Sequence, residues 1–265
     1  SAVMHTTDVN RYPDGRATEL RNALSWGLGG SPDEYVLGAG SDELIALMAT
    51  AMCRPRQGAD RPVVVFPEPT FVMYRITSRA HGWAPVAVPL DDSWDLDAHA
   101  MSSAIEAHRP NLVYYATPNN PTGNRFSRER VEALVRAYPD TLHVVDEAYG
   151  AYSGESYATL CEELPQCALL GTLSKVGFAG ARVGWVRLDE ALSKELEKVR
   201  QPFNLNTASQ VVATLALTDL APILEEHITT IVAERGRLAV ALERHESFRC
   251  YPSDANFVLV EFRGN

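Results

Sequence analysis

LVYYATPNNPTG, Leu112 to Gly123, is the stretch that decides the fold. Its first half, Leu112–Ala116, is apolar throughout, which suits a strand covered on both faces by helices rather than one with a wet face. Its second half ends that strand. Pro118 and Pro121 have no N–H for a ladder, and Asn119, Asn120 and Gly123 tolerate the dihedrals of a tight turn. The same grammar, an apolar run closed by a polar cluster, recurs twice downstream. LHVVDEAY spans Leu142–Tyr149, and GTLSKVGFAGAR, Gly171–Arg182, overlaps a strand read at Ala168–Thr172. Further strands are read at Val63–Phe66, Pro85–Pro89, Leu142–Val145 and Arg182–Arg187. Amphipathic helices are read over Asp42–Cys53, Thr70–Ala80, Leu96–His108 and Ser127–Ala137. Strands alternating with helices predict an α/β fold, with three αβα layers around a mostly parallel sheet.

Beyond the sheet the pattern changes. Glu190–Glu246 reads as helical, and Pro222–Glu246 is long enough to bridge two parts of a molecule. Asn256–Phe262 (NFVLVEF) reads as a strand with nothing after it to pair with, so the C-terminus reads as cut short. Residues 1–10 read as the tail of a longer arm.

Composition removes several classes of function. The chain has 265 residues, 24 basic against 34 acidic side chains and a net charge of −10. An excess of negative charge argues against a nucleic-acid surface, which must neutralise phosphates. The longest apolar run, Leu44–Met52, is too short to span a bilayer, and the start lacks the apolar core of a signal peptide. Four cysteines without a CxxC pair read as reduced thiols, and seven scattered histidines read as surface imidazoles with no metal site. A cytoplasmic location follows as an expectation.

The three polar clusters carry the chemistry, because ligands of open α/β sheets bind past the strand ends. Each also has a plain reading. NNPTG alone is a turn, though a paired Asn can donate and accept hydrogen bonds. VVDE resembles a Mg²⁺-binding strand end, but the GxxxxGK[ST] loop that reading needs is absent. Gly38 and Gly40 supply two dinucleotide-loop glycines, and Glu43 stands where the third belongs. Lys175 alone would be a solvated lysine. With Thr172, Ser174, the surrounding glycines and Arg182 it makes a phosphate cradle with an amine inside. The four tryptophans read as packing residues. Ser153 and Ser156 show no readable triad, which excludes hydrolase chemistry.

In order, NNPTG, DEAY and TLSKxGxAGxRxGW resemble the fold-type I pyridoxal-phosphate (PLP) aminotransferases. Asn10–Pro13 (NRYP), Gly40–Glu43 (GSDE) and Pro69–Tyr74 (PTFVMY) bring the resemblance closest to the histidinol-phosphate aminotransferases. It runs from about Val9 to Phe262 and implies a large PLP-binding domain over 15–245. Residues 1–14 would be the remnant of an N-terminal arm, and 246–265 the start of a smaller α/β domain. Lys175 would hold PLP as a Schiff base and move the proton between substrate and cofactor. Asp146 would keep the pyridine nitrogen protonated, so that the ring accepts electrons. Asn120 and Tyr149 would bond the cofactor's phenolic oxygen, and Phe71 would stack on the ring. Thr172, Ser174 and Arg182 would surround the phosphate. The backbone N–H groups of Ser41 and Asp42 would add the pull of a helix N-terminus while the acidic side chains point away. Tyr12 would reach the neighbouring site of a homodimer.

Two departures bear on substrate choice. Phe71 stands where relatives often carry Tyr, and Arg263, in FRGN, does not match the R-(I/V)-(S/T)-x-G context of a substrate-binding arginine. The resemblance implies ping-pong transamination of a small-molecule amino donor and a 2-oxo acid, with histidinol phosphate and 2-oxoglutarate as the favoured pair. Aromatic amino-acid aminotransferases and threonine-phosphate decarboxylase-like enzymes share these motifs. A non-catalytic PLP-binding module is a rival from a different class, which clean PLP binding without a half-reaction would favour. A nucleotide-binding α/β domain is another, which predicts affinity for ATP or NAD.

Overall fold

The computed structural model of the protein describes residues 10–264. A seven-stranded sheet is built from β1 (Tyr35–Gly38), β2 (Val63–Glu68), β3 (Ala84–Pro89), β4 (Leu112–Ala116), β5 (Leu142–Asp146), β6 (Cys167–Thr172) and β7 (Gly184–Arg187). Their order across the sheet is β1-β7-β6-β5-β4-β2-β3. β7 runs antiparallel to both neighbours, and the other pairings are parallel. The mostly parallel α/β architecture read from the sequence is the one observed.

Strand periodicity explains why the central strands are apolar at every position. Val64, Phe66, Tyr114, Val144 and Leu170 face one side, against Leu44, Ile45 and Met48 of α2 (Ser41–Ala51) and Tyr74 of α3 (Met73–Ala80). The alternate residues Val65, Tyr115, Val145 and Leu169 face the other side. There they meet Met101 and Ile105 of α4 (Ala98–His108) and Val131, Leu134 and Val135 of α5 (Arg128–Ala137). Each fully covered side chain of this size contributes about 1.5–3 kcal/mol of apolar burial. A third cluster packs α1 (Thr18–Leu28) and α8 (Thr207–Leu217) around Leu37, Leu173 and Trp185.

Several elements differ from the sequence reading. β1 went unread because only Tyr35, Val36 and Leu37 are apolar before Gly38, too short a run to signal a strand. α1 and α6 (Ala158–Glu163) were also unread. β7 begins at Gly184 instead of Arg182, whose φ of 52° is left-handed and outside any strand. Likewise α3 starts at Met73 and not at Thr70. The helical stretch from Glu190 breaks into α7 (Glu190–Val199), α8 and α9 (Ala221–Glu243). Asn206 opens α8 by accepting the Ser209 N–H at 2.9 Å, and Pro222 occupies the first turn of α9. The strand read at Asn256–Phe262 shrinks to β9 (Val260–Phe262), and it does have a partner. β8 (Phe248–Cys250) pairs with it antiparallel, Phe248 opposite Phe262. Trp26 is 86% exposed, so it is no packing residue, whereas Trp83 and Trp185 are buried. His143 is buried, not on the surface, stacked on Tyr115 and held neutral, its pKa lowered to about 4 by burial. Among the described residues no single helix is long and apolar enough to cross a membrane.

The segment between β8 and β9 returns to the sheet edge. The Asp254 N–H donates to the Gly123 carbonyl at 2.8 Å, and Asp254 Oδ2 accepts the Arg125 N–H at 3.0 Å. Gly123 has φ +82°, and a Cβ there would meet Ser253 Oγ at 2.9 Å, so glycine is required for this close approach.

Candidate active site

β4, β5 and β6 are parallel, and their C-terminal ends lie side by side, Ala116 opposite Asp146 and Asp146 opposite Leu170. That edge is where the three polar clusters converge. One pocket is lined by Ser41, Asp42, Phe71, Asn120, Asp146, Tyr149, Thr172, Ser174, Lys175 and Arg182, with Ala116, Pro118 and Ala148 completing the wall. Tyr12 lies elsewhere, 83% exposed and stacked on Phe203 with ring centroids 4.8 Å apart.

The two asparagines of NNPTG divide their work. Asn119 is fully buried; it donates to the Pro69 carbonyl at 2.9 Å and to Thr122 Oγ1 at 2.8 Å, and accepts the Thr70 hydroxyl at 2.8 Å. It builds the turn. Asn120 faces the pocket.

Asp146 ends β5 at the pocket wall. Its Oδ1 accepts the Ala148 N–H at 2.9 Å, and its Oδ2 accepts the Tyr74 hydroxyl at 2.6 Å. Burial pushes its carboxyl above the usual range, opposed by the hydrogen bonds from Tyr74 and Ala148. Lys175 follows β6 in a tight turn, Leu173–Lys175, opened by the Thr172 hydroxyl accepting the Ser174 N–H at 3.1 Å. The Lys175 carbonyl accepts the Tyr152 hydroxyl at 2.6 Å, which fixes its backbone, and its Nζ lies 5.4 Å from the centre of the Tyr149 ring. Tyr149 is braced edge-on by Phe257 at 5.2 Å.

Opposite these, α2 presents its N-terminus. Gly40 precedes it with φ +91° and no side chain caps the helix, so the first N–H groups are open to an anion. A Cβ on Gly40 would sit 2.5 Å from Arg182 Nη2, and one on Gly184 would sit 2.7 Å from the Ser41 nitrogen. Both glycines let the guanidinium and the helix end come together. Arg182 reaches the Ala39 carbonyl at 3.1 Å and Ser174 Oγ at 3.5 Å. Glu43 turns away from the pocket as expected, accepting from the Ala39 N–H and from Asn204. Asp42 does not: its Oδ2 lies 3.8 Å from Arg182 Nη2 at the pocket wall, because a cation beside it offsets its charge.

Tyr74 is the residue that sequence reasoning passed over. It lies one turn beyond Phe71, whose ring it meets edge-on at 5.7 Å, and that spacing is the one signal that both serve the same place.

Glu147, next along from Asp146, is half-buried beside the strand end. It accepts the Ser156 hydroxyl at 2.8 Å and the Tyr157 N–H at 2.6 Å. Burial outweighs these bonds and pushes its pKa from 4.5 up to about 7. Between these values the folded chain keeps a proton that the unfolded chain has released. Stability therefore falls as pH rises across that window, by about 3 kcal/mol in all. Glu147→Gln should remove that part of the slope. Urea unfolding at half-unit steps from pH 4.5 to 7.5 measures it, and identical slopes for the two proteins would refute the assignment.

The sequence pattern of "Aminotransferase class I and II" matches residues 3–264. The chain belongs to that family. One relative, "Histidinol-phosphate aminotransferase 2" of Nitrosococcus oceani, is 41% identical over 257 residues, 97% of this chain and 69% of the relative. The histidinol-phosphate aminotransferase of Chromobacterium violaceum is 40% identical over 261 residues, 98% of this chain and 71% of its own. Among solved structures, the histidinol-phosphate aminotransferase from Sinorhizobium meliloti in complex with pyridoxal-5′-phosphate superposes with a TM-score of 0.86 at 29% identity. The match covers 96% of this chain and 68% of that one. This aminotransferase thus has the fold of its family.

Proposed function

We propose that this aminotransferase uses pyridoxal phosphate and acts on histidinol phosphate and 2-oxoglutarate. The observation that carries the reading is the meeting of an amine, a buried carboxylate and a cationic anion cradle in one pocket, on Lys175, Asp146 and Arg182. The pocket fits the cofactor group by group. Asp146, desolvated by its surroundings, is the natural partner of a ring nitrogen that must keep its proton. Arg182, the Ser174 hydroxyl and the open N–H groups of Ser41 and Asp42 suit the phosphate, with Thr172 shaping their turn. The Phe71 ring suits an aromatic face, and Asn120 and Tyr149 can bond the phenolic oxygen. When bound, the cofactor supplies an electron sink for the negative charge that develops at the substrate α-carbon.

The chain's residues do the rest. Lys175 Nζ, on a backbone fixed by Tyr152, would take the proton leaving the substrate α-carbon and pass it to the cofactor's C4′ carbon. Asp146, when the cofactor is bound, would keep a proton on its ring nitrogen. The PNNPTG turn, anchored by Asn119, keeps Asn120 in place. The relatives' names support histidinol phosphate as amino donor. Tyr12, standing free of its own pocket, supports a homodimer in which it reaches the partner's phosphate. Such an enzyme would work in the cytoplasm.

The test is substrate profiling of the PLP-loaded protein with 2-oxoglutarate as acceptor. Histidinol phosphate is expected to give the highest kcat/KM. A clear preference for phenylalanine or tyrosine over histidinol phosphate would contradict the substrate.

A further inference from the structure

We propose that Tyr74 is a positioning residue, whose phenol fixes the rotamer of Asp146 so that the carboxylate's free lone pairs face the cofactor's ring nitrogen. The inference rests on the functional reading above and goes past it, to a residue outside the pocket wall.

Tyr74 is completely buried in the core beneath the pocket and donates to Asp146 Oδ2 at 2.6 Å, while the Ala148 N–H occupies Oδ1 at 2.9 Å. One donor on each oxygen leaves the carboxylate a single orientation, and each oxygen keeps capacity for a further bond. The phenol is itself held from three sides. Its ring stacks on Tyr114 with centroids 4.3 Å apart and planes 9° apart, meets Phe71 edge-on, and packs against Phe66 at 6.2 Å. Phe71 and Asp146 both line the pocket, so one tyrosine supports a face and a charge of the same site. Burial pushes the Tyr74 pKa well above its usual value, and the nearby carboxylate adds to this, so the phenol stays a donor at every working pH. Tyr114 provides a control within the same stack, since its hydroxyl is buried with no hydrogen-bond partner among the described residues.

Tyr74→Phe keeps the stacked ring and removes one hydroxyl. The experiment titrates apoprotein with PLP labelled with ¹⁵N in the ring, reading affinity and the ring-nitrogen chemical shift. It compares wild type, Tyr74→Phe, Tyr114→Phe, Asp146→Asn and the Tyr74→Phe/Asp146→Asn double variant. Tyr74→Phe is expected to weaken binding about tenfold and to move the shift toward the unprotonated ring. Tyr114→Phe should stay within about twofold of wild type. In the Asp146→Asn background, Tyr74→Phe should cost nothing further, because its route through the carboxylate is gone. Wild-type affinity and shift in Tyr74→Phe would overturn the inference, as would an equal loss in the Asp146→Asn background. A wild-type protein that takes up no PLP would overturn the functional reading, and this inference with it.

Discussion

Lys175→Ala is expected to lower transamination by about ten-thousandfold while leaving the fold intact and part of the PLP affinity in place. The size follows from what the amine does. It is the group in the pocket suited to bond the cofactor covalently and to move a proton at the reacting carbon, and a positioned acid–base contributes about 10²–10⁴ on its own. The fold survives because the Lys175 backbone, not its side chain, is tied in: its carbonyl accepts the Tyr152 hydroxyl at 2.6 Å. PLP affinity survives in part because Arg182, Ser174 and the α2 N-terminus are untouched. Single-turnover rates with saturating substrate measure the effect. Turnover within tenfold of wild type would end the assignment of Lys175.

Asp146→Asn is expected to divide activity from stability. The amide can still accept from Ala148 and meet Tyr74, so the site keeps its shape. It cannot offer a negative charge to a protonated ring nitrogen, and losing one preorganised electrostatic partner costs about 10²–10³ in turnover. Stability should move the other way. Burial raises the Asp146 pKa in the folded chain, so the ionised carboxylate destabilises the cofactor-free protein at all pH values above its unfolded pKa. A neutral isostere removes that penalty, and the apoprotein Tm at pH 7 should rise. Such an exchange is expected where a site holds a charge that the fold alone would not choose. A variant with a lower apoprotein Tm, or with undiminished turnover, would contradict the account.

The central sheet was legible because its strands are buried on both faces, which leaves LVYYA, LHVV and VVVF apolar at every position. β1 was not, since a strand of Tyr35–Gly38 acquires its identity from pairing with β7, a contact far away in sequence. The partner of β9 was missed for a related reason: β8 is three residues long, and only its register with Val260–Phe262 makes it a strand. At the site, residue types at strand ends brought the polar clusters to one pocket. Residue type alone does not tell which member of a cluster faces it; Asn120 rather than Asn119 follows from the family resemblance. Asn119 and Asn120 are adjacent and identical in type, yet one builds the turn and the other lines the cavity. Asp42 and Glu43 are equally alike, and only the nearness of Arg182 keeps the first at the wall while Asn204 holds the second away. Tyr74 looked like one more core aromatic because its function lies in a bond to Asp146, seventy-two positions on.

The most direct measurement of Lys175 as the cofactor's anchor is the visible absorption spectrum of the purified protein, before and after borohydride reduction, with peptide mapping of the reduced adduct. The protein should be yellow, lose its colour on reduction and carry the reduced cofactor on Lys175. A protein that stays colourless in added PLP, or an adduct on any other lysine, would contradict that assignment.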